Sequence, residues 1–89
     1  MVLSIELEIK NKKGLHARAA AAFVKTAGSF DACVEVERQG QKVDGCSIMG
    51  LMMLTASKGT IITISASGAE AEAAIESLSA LVNGKFGED

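Results

Sequence analysis

The feature that most restricts how this chain can fold is a repeated change in the spacing of its apolar residues. Leu3, Ile5, Leu7 and Ile9 alternate with Ser4, Glu6, Glu8 and Lys10, the period of a strand with one buried face. After a polar turn from Asn11 to Gly14 the spacing shifts to three and four residues. Ala20, Phe23, Val24 and Ala27 fall on one side of a helix that starts at Ala17 and stops at Gly28. Alternation returns at Ala32, Val34 and Val36, the stretch RQGQ turns the chain, and Lys42-Val43 begins a return strand. Ser47 precedes IMGLMML, which is long enough only for a short helix or loop. KGT turns again, and residues 60–66 are rich in β-branched side chains, with Ile62 and Ile64 on one side. Ala71, Ala74, Ile75, Leu78, Leu81 and Val82 make a last helical stripe, with Ser67 and Glu70 spaced as a capping box. GKFGED ends the sequence as a loose tail.

The order is therefore β-α-β-β-α-β-α. Four short strands, each with a polar side, predict an antiparallel or mixed sheet with one face open to water. Three helices with apolar stripes then have one surface to cover, the other face of that sheet. The expected fold is α+β: an open-faced two-layer sandwich in which a four-stranded antiparallel sheet is covered on one face by three helices. No linker or repeat interrupts the pattern, and residues 1–89 are expected to form a single domain.

Composition narrows the function classes. The net charge is −2, with lysines and arginines scattered, so a nucleic-acid footprint is not expected. No apolar run approaches the ~20 residues that cross a bilayer, and the alternating, acidic N-terminus does not read as a signal peptide. Cys33 and Cys46 lack the spacing of a metal or redox motif. They are expected to be free thiols in a reducing cytoplasm, with no metal and no cofactor implied. Cys33 reads as an ordinary strand residue.

The only histidine, His16, stands where the first helix begins, in GLHARAAAAF. If Ala17 is the first helical residue, His16 is the N-cap. The N–H groups of Ala17, Arg18 and Ala19 then have no partner within the helix. Those donors and the positive end of the helix dipole suit an anion, and the Arg18 guanidinium matches phosphate oxygens. Imidazole is a nucleophile near neutral pH, and the phosphoramidate it forms is labile. The constellation suits transient phosphorylation; the plainer reading is an exposed capping histidine beside an unrelated arginine.

The stretch GLHARAA resembles the active-site signature of the histidine-containing phosphocarrier (HPr) family of the phosphoenolpyruvate-dependent phosphotransferase system. CSIMGLMML resembles the second signature of that family, and the element order and length match throughout. The resemblance implies a carrier that is not itself an enzyme. His16 would accept a phosphoryl group through Nδ1 from enzyme I and pass it to an enzyme IIA-type domain, with Arg18 neutralising the group. It also implies that Ser47 matches a serine modified by an HPr kinase in part of the family. The family signature usually continues with proline after the arginine, and here that position is Ala19. Cys46 stands where many relatives have lysine. A monomer is expected. The LMML-ASKG segment, the missing proline and the C-terminal NGKFGED lean toward the nitrogen-related branch over the sugar-uptake branch.

Large apolar residues crowd the second motif. Ile48, Met49, Leu51 and Met52, with Leu15 and Ala20 near the histidine, are expected to form the partner-docking surface, methionine being suited to surfaces that meet several partners. Packing of Ile48 and Leu51 on the sheet is the competing reading. Ser47 is first of all an N-cap candidate. Two other function classes remain open: a regulatory interaction module of the same fold controlled at Ser47, and a hydrolase using His16 as base. The latter would want a nucleophile or paired acid close by, and the sequence segment around His16 offers none.

Overall fold

A computed structural model describes residues 2–88. The chain runs β1 (Val2–Glu8), α1 (Ala17–Gly28), β2 (Cys33–Arg38), β3 (Gln41–Asp44), α2 (Ile48–Met53), β4 (Ile61–Ser67) and α3 (Ala71–Asn83), then a short 3-10 turn at Lys85–Gly87. The four strands form one sheet in the order β1-β4-β2-β3, and every neighbouring pair is antiparallel.

Register explains the sidedness. Leu7 pairs with Ile62, Ile5 with Ile64, Val36 with both Ile64 and Val43, and Val34 with Ala66. Residues opposite each other share a face, so these side chains form one apolar surface, while Ser4, Glu6, Glu8, Glu35 and Thr63 lie on the other. Phe23 of α1, Leu51 of α2 and Leu78 and Val82 of α3 join Ile62, Ile64 and Val36 in one fully buried cluster. The sheet is covered on this side only. The RQGQ turn is a two-residue hairpin with Gln39 and Gly40 both left-handed, at φ 48° and 84°, the backbone that suits the twist of paired strands.

Three local expectations need correction. Ile9 lies beyond the end of β1 yet is completely buried; its N–H donates to the Thr60 carbonyl and its own carbonyl accepts from Gly59, so the alternation outlasts the strand. Ser67 and Glu70 do not form a capping box. Ser67 is held in β4 opposite Val2 and Cys33, and α3 starts behind Glu70 without a side-chain cap. The Glu70 carboxylate instead accepts the Asp31 N–H at 2.7 Å.

The third correction concerns the C-terminus, which is docked rather than loose. Lys85 and Phe86 adopt left-handed backbone at φ 59° and 57°, costing roughly 1–2 kcal/mol each. Burial of the Phe86 ring, of the order of 1.5–3 kcal/mol, offsets much of that. Glu88 is thereby carried to the start of α1; Asp89 lies outside the described residues.

Candidate functional site

The site is built on the turn between β1 and α1. Gly14 has φ +64°, and a Cβ there would lie 2.3 Å from the Ala56 carbonyl oxygen, so only glycine fits. Next to it, the Leu15 N–H donates to that same carbonyl at 2.9 Å, and the Leu15 side chain is buried. These contacts pin the chain one residue before His16, whose extended backbone (φ −79°, ψ 179°) makes it the N-cap of α1. The first helical hydrogen bond runs from the Ala20 N–H to the His16 carbonyl at 2.8 Å. The N–H groups of Ala17, Arg18 and Ala19 therefore have no partner within the helix, as expected of a first turn.

The imidazole is partly exposed, and its Nε2 lies 2.5 Å from Oε2 of Glu88. The second carboxylate oxygen of Glu88 accepts from Nδ2 of Asn11 at 3.0 Å, and the same Asn11 nitrogen donates to the Gly14 carbonyl at 2.8 Å. Asn11 is almost wholly buried. The hydrogen bond from Asn11, then that from His16, hold the Glu88 carboxyl below its usual range against the desolvation that raises it; the charges of His16 and Lys13 add to the lowering. No hydrogen bond reaches Nδ1 of His16 from the described residues.

Cationic residues surround this pair. Lys12, Lys13 and Arg18 line a cavity of about 390 Å³ together with Gly87 and Glu88. A second hollow of about 220 Å³ is bordered by His16 itself with Lys13, Leu15, Thr55, Ala56 and Ser57. Arg18 projects from the exposed side of the first helical turn. Nucleophile, free backbone donors and cations are thus gathered on one small surface. Such an arrangement can hold an anionic group covalently bound to the ring.

The expected docking residues divide. Met49 is 75% exposed and Met52 and Ile48 are partly exposed, in keeping with a contact surface. Met53, not singled out by the sequence pattern, is 64% exposed and extends the same patch. Leu15, Ala20 and Leu51 are corrected: all three are buried, so their side chains offer a partner little or no contact area, although Leu15 borders the hollow beside His16. Leu15 anchors the turn, Ala20 lies on the inner face of α1, and Leu51 is the inward residue of α2. Helix α2 packs against α1, and Thr55, just past its end, shares the hollow with His16. The C-terminal end of α2 therefore leads to the hollow that His16 borders.

Ser47 caps α2, its Oγ accepting the Gly50 N–H at 3.0 Å. Cys33 and Cys46 are both exposed and unpaired. Among the described residues no group of three metal-ligating side chains occurs, and no helix is long and apolar enough to cross a membrane.

Two residues of the site escaped sequence reading. Asn11 looked like turn material, and Glu88 like tail. No local pattern links positions 77 residues apart; the C-terminal turn, anchored by the buried Phe86 and packed on α1 and α3, brings them together.

Comparison with known proteins identifies the family and the fold. Residues 3–84 match the family model described as the PTS HPr component phosphorylation site. The phosphocarrier protein HPr of Neisseria meningitidis serogroup B is 48% identical over 87 residues, covering 98% of each chain. The HPr-like protein Crh of Bacillus subtilis is 46% identical over 77 residues, 86% of this chain and 91% of that one. Among solved structures, HPr from Thermoanaerobacter tengcongensis superposes with a TM-score of 0.94 at 47% identity, covering 98% of both chains.

Proposed function

This chain belongs to the HPr phosphocarrier family of the phosphotransferase system, and from that premise we propose that it carries its phosphoryl group on Nδ1 of His16. The group is received from enzyme I and handed to an enzyme IIA-type domain, and the chain turns over no substrate of its own. The observation that carries this reading is the N-cap placement of His16 beside three backbone N–H groups with no helical partner. A phosphoryl group on the ring meets those donors and the positive end of the helix dipole, where negative charge is favoured. Arg18 supplies a guanidinium whose fork suits two phosphoryl oxygens. Ala19, standing where the family signature usually has proline, keeps an N–H that proline would lack.

Docking of both partners falls to Ile48, Met49, Met52 and Met53, the exposed apolar side chains of the helix packed against α1. Ser47, at the edge of that surface, is the position for phosphorylation by an HPr kinase; a phosphate is electrostatically tolerated at a helix start but adds negative charge where an anionic donor approaches. One copy supplies every group of the proposed site, which supports a carrier acting as a monomer; a cytoplasmic location is carried over from the family. A nitrogen-related role rests on short stretches around LMML-ASKG and the C-terminus. Offering the protein two forms of enzyme I, one from each branch, and comparing initial rates tests that assignment; preference for the sugar-system donor would overturn it.

The carrier reading itself is tested by incubating the full chain with enzyme I and labelled phosphoenolpyruvate, then adding the acceptor domain. One acid-labile label is expected to load and then to leave. His16→Ala should fold normally and take up none; retained labelling in that variant would place the site elsewhere.

A further inference from the structure

The carboxylate of Glu88 is built into the site too thoroughly to be an incidental surface neighbour. One oxygen accepts from Asn11 at 3.0 Å while the other faces Nε2 of His16 at 2.5 Å. Asn11 is itself locked. Both hydrogens of its amide nitrogen are used, on the Gly14 carbonyl and on Glu88. Turning the amide over would set its oxygen against two acceptors, so Asn11 presents a donor to Glu88 and nothing else. An ionised carboxylate can only accept, and the lowered pKa of Glu88 keeps it ionised at neutral pH. What it meets at the imidazole must therefore be an N–H.

We infer that Glu88 is a positioning residue for His16, holding the imidazole as the Nε2–H tautomer so that the Nδ1 lone pair is free for the phosphoryl group. The inference rests on the carrier reading for its consequence, though not for the tautomer itself. Which ring nitrogen carries the proton is set by the bond the other nitrogen makes, and here Nε2 has the only hydrogen bond from the described residues.

The transfer step balances around this pair. The Nδ1 lone pair forms the N–P bond, the bond between phosphorus and the donor protein breaks, and its electron pair leaves with the donor. The ring becomes a phosphoimidazolium that keeps its proton on Nε2, and the Glu88 carboxylate compensates the positive charge. On delivery to the acceptor the N–P bond breaks, its electron pair returns to Nδ1, and the ring is neutral with the same proton in place. No proton has to be exchanged with water in either direction.

Substitution at Glu88 separates charge from hydrogen-bond polarity. In Glu88→Ala the imidazole is released and both neutral tautomers become populated. In Glu88→Gln the outcome is more severe. Asn11 offers a donor, so the glutamine carbonyl turns toward Asn11, and its NH₂ then faces the imidazole. A donor at Nε2 pins the proton on Nδ1, the nitrogen that must attack.

Two readouts on the full chain decide this. Long-range ¹H–¹⁵N spectra of the imidazole, recorded at a pH where the ring is neutral, report the tautomer without any donor protein. They should show Nε2–H in the native chain, a mixture in Glu88→Ala and Nδ1–H in Glu88→Gln. Phosphoryl uptake from enzyme I should fall about tenfold in Glu88→Ala, the loss of one charge-assisted contact. It should fall on the order of a hundredfold in Glu88→Gln, where the wrong nitrogen holds the proton. The same tautomer in all three proteins would overturn the inference. So would a tautomer shift with unaltered uptake rates. Absence of uptake in the native chain alongside the expected tautomers would instead count against the carrier reading.

Discussion

Gly14 backs onto Ala56 so closely that the Ala56 carbonyl oxygen occupies the space a Cβ at position 14 would need, 2.3 Å away. The same oxygen accepts the N–H of Leu15, so one carbonyl fixes the approach of the chain to His16. Gly14→Ala is expected to combine a steric clash with a left-handed backbone that alanine resists, at a cost of about 2–4 kcal/mol. Denaturant unfolding measures the loss. A variant as stable as the native chain would mean that the turn relaxes freely and does not position His16.

Met49 and Leu51 are two residues apart on α2 and face opposite ways, 75% and 0% exposed. Leu51→Ala should therefore destabilise the fold by ~2–5 kcal/mol through a core cavity. Met49→Asp should leave stability within about 0.5 kcal/mol and weaken binding to enzyme I, because a charge in an apolar contact is left unpaired and desolvated. Calorimetry against enzyme I and thermal melts separate the two effects. Unaltered affinity in Met49→Asp would remove Met49 from the docking surface.

Ser47 holds the first turn of α2 through its bond to Gly50. Ser47→Ala should cost about 1 kcal/mol with little change in transfer from enzyme I. Phosphorylation of Ser47 should do the reverse, slowing transfer while the fold persists. Equal transfer rates for native and phosphoserine proteins would end the regulatory reading.

The docking of the C-terminus should depend on acid pH. Glu88 has a lowered pKa in the folded chain, so its ionised form stabilises the docked tail at and above the usual carboxylate range near ~4.3. That contribution disappears as pH falls through the lower, folded-state value. Asn11, His16 and Lys13 face the carboxylate and all favour its charged form. Amide exchange of Gly87 and Glu88, whose N–H groups donate to Gly84 and Lys85, should accelerate on that acid limb. In Glu88→Gln the acid limb should vanish; its persistence would assign the effect to another carboxylate.

Most of the architecture was legible because the apolar spacing of each element is set by one buried face. Helix α1 begins and ends where the pattern at Ala17 and Gly28 places it, since Ala20, Phe23 and Ala27 need a common side. The histidine was legible for the same reason, standing at a period change. Ser67 misled because a serine three residues before a glutamate reads as a cap, whereas the ladder claims Ser67 for β4. Leu15 and Ala20 misled because nearness to His16 in sequence is not exposure beside it. Glu88 was invisible because its role depends on Phe86 entering a core assembled from distant elements, a tertiary event with no local period.

The most direct test of the account is the chemical identity of the phosphorylated atom. Protein labelled with ¹⁵N in its single histidine, phosphorylated by enzyme I and kept at neutral to alkaline pH, should show ³¹P–¹⁵N coupling to Nδ1 of His16. Coupling to Nε2, or a phosphoryl group found on any residue other than His16, would contradict it.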